Sequence, residues 1–102
     1  MTGRETANGA CRADVWLWRA RFFKTRALAA KAIEHGQVRL STHSASRVLE
    51  KASAAIHLED GLTLRLPSRR GGPVLKTVRV LALGERRGPA SEVRLLYAEF
   101  ES

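Results

Sequence analysis

The sequence has a single cysteine, few aromatic residues and no long apolar run, and these scarcities exclude several classes of protein. Cys11 is the only cysteine, so no disulfide can form within the chain and no oxidising compartment is required. No apolar stretch approaches the ~20 residues of a membrane-crossing helix, and the N-terminus has no secretory hydrophobic region. We therefore expect a cytoplasmic protein with no membrane partner.

The motifs of catalytic and cofactor-binding proteins are also missing. The three histidines and Cys11 are scattered, whereas zinc ligands are clustered at set spacings. The chain contains neither a Walker-type loop nor a Gly-x-Gly-x-x-Gly motif. Ser41 and His43 lie close in sequence, but no neighbouring residue marks them as an activated pair. We interpret the chain as a non-enzyme with no cofactor or metal, and we assign Cys11 no role.

Basic residues, in contrast, are abundant and unevenly distributed. The formal net charge is +8. Residues 12–51 hold nine lysines and arginines against three acids, a net of +6, whereas residues 52–102 have a net of +2. A concentrated positive field of this kind attracts polyanions and accelerates their encounter. Nucleic acid is therefore the expected partner.

The length of 102 residues, with 44% hydrophobic residues, predicts one small domain that folds without disulfides or metals. Residues 1–11 are mostly small or polar and lack periodicity, which predicts a disordered tail. Residues 12–102 are then a single domain, ending in a hairpin and a helix.

The N-terminal part of the domain predicts two helices joined by a basic turn. Trp16, Ala20 and Phe23 recur at helical spacing, which gives the first helix one apolar face. Thr25 is a suitable N-cap for the second helix, and Gly36 is the expected left-handed stop after it. The pattern therefore predicts a helical hairpin.

Alternation and turn residues predict strands over 37–40, 47–49, 62–66 and 74–83. Apolar residues at i, i+3, i+4 and i+7 predict a final helix over 90–100; they are Val93, Leu96, Tyr97 and Phe100. The expected fold is α+β, with two N-terminal helices packed on a small, mostly antiparallel sheet and a C-terminal helix.

Two tryptophans lie on different sides of the first predicted helix. Trp16 fits its apolar stripe, whereas Trp18 is about 200° away around the axis. Trp18 and Phe22 are expected to pack on the C-terminal helix, with base stacking as the less favoured alternative.

A family resemblance follows from a set of residues spread over this region: Arg12, Asp14, Leu17, Arg26, Ala29, Ile33, Gly36, Val38 and Leu40. The set resembles the ribosomal-protein-S4-type RNA-binding domain, in which Arg-apolar-Asp is followed by two helices and a Gly-x-Val-x-Val strand. The resemblance implies the S4-type fold and RNA binding.

Further runs narrow the resemblance to the ribosome-associated heat-shock proteins of the fifteen-kilodalton class. They are 16–18, 21–26, 86–90 and 96–97. The resemblance implies binding of ribosomal RNA on large ribosomal subunits that carry a stalled nascent chain with its tRNA, and rescue of those subunits. The chain departs from the family at 41–46, where an Asn-Gly turn is usual, and it ends at Ser102 without the longer basic extension of better-known members.

The residue types indicate how RNA would be bound. Lysine and arginine bind phosphates, and a helix start adds free backbone N–H donors, as expected at Lys24, Thr25 and Arg26. Gln37 and Arg39 lie on the side of their strand opposite to the apolar residues. The predicted RNA-binding residues are Arg12, Arg19, Arg21, Lys24, Thr25, Arg26, Lys31, Gln37, Arg39 and Arg47.

Several alternatives remain open from the sequence. Two helices with a short turn also fit a DNA-binding helix-turn-helix regulator, although the second helix is rich in alanine. The basic face could instead dock an acidic protein, bind structured RNA without a rescue role, or merely be solvated. The protein is expected to be a monomer.

Overall fold

The computed structural model describes residues 10–66, 71–85 and 87–100. Seven strands, two α-helices and one 3₁₀-helix occur there. In chain order they are β1 (Ala10–Arg12), α1 (Ala13–Arg19), α2 (Arg26–Glu34), β2 (Val38–Ser41), β3 (Ser46–Val48), β4 (Ala55–His57), β5 (Gly61–Leu66), β6 (Val74–Val80), the 3₁₀-helix (Ala90–Leu95) and β7 (Tyr97–Phe100). In this part of the chain no helix is long and apolar enough to span a bilayer.

The strands form one large and one small antiparallel sheet. The five-stranded sheet has the order β3-β2-β5-β6-β7, and β1 pairs separately with β4. The α+β class, the two N-terminal helices and the antiparallel sheet agree with the sequence-based prediction.

The second helix begins and ends as its sequence predicts. The Thr25 side-chain oxygen accepts a hydrogen bond from the Leu28 N–H at 3.0 Å, which caps α2. At the other end Gly36 has φ of 77°, and the Gln37 N–H donates to the Ala32 carbonyl at 3.0 Å. This 6→1 bond around a left-handed residue is the Schellman arrangement, and it leads directly into β2.

The first helix ends in the same arrangement, but without a glycine. The Phe22 N–H donates to the Leu17 carbonyl at 3.0 Å, and the left-handed residue between these two is Arg21, with φ of 66°. A side chain in this backbone region costs roughly 1–2 kcal/mol relative to a right-handed conformation. Arg21 therefore occupies a position where glycine would fit with less strain.

The helices cover one face of the five-stranded sheet. Alternate strand residues face the helices and are buried with Trp16, Leu17 and Ile33; they are Val38, Leu40, Leu62, Leu64, Val78 and Val80. The intervening residues lie on the opposite face, which no described element covers. We call this second surface the open sheet face; its members are Arg39, Ser41, Ser46, Val48, Gly61, Thr63, Arg65, Leu75, Thr77, Arg79 and Ala98.

The predicted C-terminal helix over 90–100 is wrong. The chain forms the 3₁₀-helix Ala90–Leu95 and then the strand Tyr97–Phe100, which pairs with β6. Apolar spacing suited a helix, but pairing satisfies the backbone groups that β6 would otherwise expose at the sheet edge. Tertiary pairing thus overrode the local pattern.

The predicted boundary between the tail and the domain is also shifted. Ala10 and Cys11 belong to β1, and Cys11 is 1% exposed opposite Ile56. Neither β1 nor β4 was predicted, since each has three residues and its pairing partner lies far away in the sequence. Residues 1–9 of the predicted tail lie outside the described residues.

An aromatic cluster joins α1 to the last strand. Trp16 is fully buried, and its Nε1–H donates to the Ala82 carbonyl at 2.9 Å. Phe22 and Tyr97 have ring centroids 4.8 Å apart, and Tyr97 also meets Trp16 edge-on at 6.4 Å. Burial, and then the charge of Glu99, raise the pKa of Tyr97 above its ordinary value of 10.0, against a smaller opposing effect of Lys76. Phe22 therefore packs on the C-terminal segment as predicted, with a strand in place of the helix, whereas the packing of Trp18 there stays a prediction.

Candidate nucleic-acid interface

The basic turn between α1 and α2 presents two exposed cations beside a helix start. Lys24, Thr25 and Arg26 are all exposed, and among the described residues no carboxylate pairs with Lys24 or Arg26. The first turn of α2 has no acidic residue. The first N–H groups of a helix lack intrahelical acceptors, and apart from the Leu28 N–H, which Thr25 caps, these donors lie next to the two charged residues in sequence. This arrangement suits a phosphate.

The turn is fixed in place by contacts with the segment before the 3₁₀-helix. Arg21 Nε donates to the Gly88 carbonyl at 3.0 Å, and Arg87 Nε donates to the Trp18 carbonyl at 3.1 Å. These bonds join residues of three of the runs that carry the narrower resemblance, since Trp18 belongs to 16–18, Arg21 to 21–26, and Arg87 and Gly88 to 86–90. These two hydrogen bonds, one donated from each segment to the other, hold the basic turn in position in the absence of a ligand.

Arg19 lies inside this framework rather than on the surface of the turn. Its Nη1 donates to the carbonyls of Leu83 at 3.2 Å and Gly84 at 2.9 Å, and it lies 3.5 Å from Cys11 Sγ. Its Nε is buried without a hydrogen-bond partner. The side chain thus connects α1 to the segment after β6, and it lies apart from the exposed cations.

Arg12 is paired with a buried acid. Its Nε and Nη2 donate to the two carboxylate oxygens of Asp14, both at 3.0 Å. Asp14 is 4% exposed, so the pair also compensates a carboxylate that would otherwise be buried alone. The Arg12 charge is therefore largely balanced at this position.

The remaining predicted residues divide between the two sides of the sheet. Lys31 is exposed on α2, and Arg47 of β3 lies opposite Leu40, which places it on the helix side. Gln37 and Arg39 are exposed on the other side, since Val38 and Leu40 are buried against the helices. Lys31 and Arg47 thus lie on the same side of the sheet as the residues of the basic turn. We call these residues together the helix-side group; it comprises Arg21, Lys24, Thr25, Arg26, Lys31 and Arg47.

Sequence reasoning did not include Arg65 among the candidate residues. Its N–H donates to the Gln37 carbonyl at 2.9 Å, and Arg39 pairs with Thr63, two residues before it on β5. The alternation of Leu62, Leu64 and Leu66 did predict that Arg65 faces away from the core. Its proximity to Arg39 depends on the β2–β5 register, which one sequence does not specify.

A groove of about 890 Å³ opens where the turns before β3 and β5 meet. Its lining includes His43, His57 and Asp60, but the Asp60 carboxylate already accepts the His57 backbone N–H at 2.8 Å. No group of three or more metal-ligating side chains occurs among the described residues. The groove therefore offers no evident cation site.

Several known proteins are similar to this chain in fold and in sequence. The S4 domain family matches residues 11–44, from β1 to the turn after β2. The trimeric structure of Vibrio cholerae heat shock protein 15 is 34% identical, covers 89% of this chain and 82% of its own, and superimposes with a TM-score of 0.70. This chain belongs to the heat shock protein 15 family. The resemblance inferred from the sequence is thereby confirmed.

Two further relatives define the extent of the match. Heat shock protein 15 of Escherichia coli (strain K12) is 46% identical over 88 residues, which are 86% of this chain and 59% of that protein. The heat shock protein 15 homolog of Haemophilus influenzae is 38% identical over 91 residues, or 89% of this chain and 62% of its own. The chain thus spans about three-fifths of the length of these relatives.

The family match covers most of the predicted RNA-binding residues but does not support the expected monomer. Nine of the ten predicted RNA-binding residues lie within the S4 match, and Arg47 lies just beyond it. The Vibrio cholerae relative is trimeric, so it lends no support to the expected monomer. The oligomeric state of this chain stays a prediction.

Proposed function

We propose that this chain binds structured RNA through its helix-side group. The observation that carries the proposal is the exposed pair Lys24 and Arg26, which have no acidic partner among the described residues and lie at the start of α2. Side-chain cations and backbone N–H donors together bind a phosphate more strongly than either alone. The crossed bonds of Arg21 and Arg87 fix the turn, which reduces the entropy lost on binding.

We further propose that the target is ribosomal RNA of the large subunit. On this proposal the protein acts in the cytoplasm as a heat-shock factor that rescues subunits carrying a stalled nascent chain with its tRNA. Membership of the heat shock protein 15 family and the two runs 21–26 and 86–90 support it. A rigid basic platform can select folded RNA by shape, because phosphate positions there are fixed before binding.

The rival function, a DNA-binding regulator, receives less support from α2. After Arg26, the exposed residues of α2 are Ala27, Leu28, Lys31 and Glu34, and only Lys31 of these can donate to a base edge. A recognition helix usually presents several side chains that read bases. The surface suits backbone contacts better than base readout.

Pelleting with purified ribosomal particles tests the proposal. We expect the protein to sediment with large subunits through a sucrose cushion, and more tightly with chain-bearing than with empty ones. Equal binding to both kinds of large subunit would remove the rescue role and leave an RNA binder. Sedimentation with small subunits alone would overturn the assignment to the large subunit.

The same experiment with charge-reversal variants locates the interface. Lys24→Glu with Arg26→Glu should abolish co-sedimentation and leave the circular dichroism spectrum unchanged, because both side chains are exposed. Lys51→Glu with Arg94→Glu changes the net charge equally at exposed positions outside the predicted set. If the two double variants bind equally badly, the contact is a general charge effect and the site is misplaced.

A further inference from the structure

The open sheet face has no place in the helix-side interface, and we propose that it forms a second contact with the same RNA. Its occupant is the sugar–phosphate backbone of a single strand that flanks the folded element held by the helices. This inference rests on the proposed function. It adds Arg65, Thr63, Thr77 and Arg79 to the residues that bind RNA.

Two exposed arginines, Arg39 and Arg65, lie on neighbouring strands of this face, and Arg39 Nη1 donates to Ser46 Oγ of β3 at 3.3 Å. Arg39 pairs with Thr63, so Arg65 is its diagonal neighbour on the adjacent strand, a separation of about 7–8 Å between backbones. The backbone carbonyl of Gln37 accepts a hydrogen bond from the backbone N–H of Arg65, so Gln37 lies next to Arg65 at this edge of the two strands. Like charges this close repel each other, and an anion lying across them relieves that repulsion. A phosphate between Arg39 and Arg65 would do so.

Hydroxyl groups continue the surface across four strands, β3, β2, β5 and β6. The hydroxyl oxygens of Thr63 and Thr77 are 3.2 Å apart, and those of Ser41 and Ser46 are 3.4 Å apart. Hydroxyls can both donate to phosphate oxygens and accept from ribose 2′-hydroxyls. The row therefore has the chemistry to follow an RNA backbone between positive side chains.

The charge of the face favours RNA over a protein partner. Its described members include three arginines and no acid. Arg79 lies 3.8 Å from Glu59, which projects from the preceding turn, so this arginine contributes less than the other two. Among its described members, the exposed large apolar side chains are Leu75, 67% exposed opposite Arg65, and Val48, 38% exposed on β3. An apolar docking patch would need more such residues.

The two contacts are close enough to share one RNA molecule. The basic turn precedes α2, and Gln37 follows it by three residues. The nine residues of α2 are about 14 Å long, and the RNA must also pass around the sheet from the helix-covered face to the open face, so its single-stranded extension must be longer than this. A strand leaving the helix-side group can therefore pass onto β2 and β5.

Two RNA probes separate the contacts. One is a fluorescent stem-loop, and the other is the same stem-loop with a single-stranded extension of mixed sequence. Wild-type protein should bind the extended probe more tightly. Arg65→Gln should lose about fivefold to tenfold of affinity for the extended probe and little for the bare stem-loop, because one charge-assisted contact is removed. The salt slope for the extended probe should fall by about 0.7.

Arg94→Gln is the matched control, since it removes an exposed arginine from the 3₁₀-helix. It should bind both probes as wild type does. If Arg65→Gln also matches wild type on the extended probe, the second contact is wrong while RNA binding by the turn survives. If wild-type protein binds neither probe, the proposed function fails and this inference fails with it.

Discussion

At the scale of single residues, Arg21 shows a conflict between stability and position. Its left-handed backbone closes α1 where glycine would be the least strained residue. In exchange its side chain reaches the Gly88 carbonyl and keeps a cation beside the basic turn. Strain of this kind persists where surrounding contacts hold it in place, and it often accompanies a functional site.

Replacing Arg21 by alanine and by glycine separates strain from contact. Both variants lose the bond to Gly88, but only glycine relieves the left-handed conformation. Arg21→Gly should therefore be more stable than Arg21→Ala by about 1 kcal/mol. Urea unfolding followed by circular dichroism measures the difference. RNA affinity should fall equally in both, and equal stabilities would show that the backbone at this position is not strained.

At the scale of elements, prediction succeeded where local chemistry decides the outcome. Thr25 caps the start of α2 with its side-chain oxygen, and Gly36 ends the helix because a residue without Cβ adopts a left-handed conformation easily. The strand β5 lies where leucines alternate with other residues. Prediction failed at β7, where pairing with β6 outweighed a helical spacing, and at β1, where three residues carry no period. Both failures depend on partners distant in sequence.

The packing of β7 against α1 predicts an unusual tyrosine titration. Tyr97 is the only tyrosine, so the absorbance of tyrosinate reports on it alone. Burial raises its pKa, and we expect a midpoint above 10.0 in the folded protein and near 10 in denaturant. Because the folded state holds the proton more tightly, stability should fall as pH rises above about 10 and through the raised pKa of the folded protein.

The control is the same titration in a concentrated denaturant, where Trp16 and Phe22 no longer cover the ring. Identical midpoints in the two conditions would mean that Tyr97 is solvated in the folded state. The aromatic cluster would then not join α1 to β7.

At the scale of the whole molecule, charge favours nucleic acid without choosing among nucleic acids. The net charge of +8 would attract any polyanion, so the proposed preference for RNA requires a contribution from the shape of the surface. The sequence predicted the cations but not their division between two sides of the sheet. That division follows from the register of the strands. Which cations remain available also depends on tertiary contacts, because Arg12 pairs with Asp14 and Arg19 donates to the Leu83 carbonyl.

Competition between structured RNA and duplex DNA of equal length tests this selectivity. RNA should bind more tightly, and its affinity should fall by on the order of a hundredfold between about 50 and 200 mM salt, since each neutralised phosphate releases counterions. Fluorescence anisotropy at several salt concentrations measures both quantities. Tighter binding to a particular duplex would favour the helix-turn-helix regulator instead.

The pairing of β1 with β4 has a consequence for the order of folding. Cys11 lies opposite Ile56, 45 positions later, whereas β5 and β6 join neighbouring segments of the chain. Closing a long loop costs more entropy than closing a short hairpin, so β1 should dock after the rate-limiting step. Weakening β1 would then hasten unfolding and leave the refolding rate nearly unchanged. The contacts of β1 would then contribute mainly to the kinetic stability of the protein, because they slow unfolding without affecting folding.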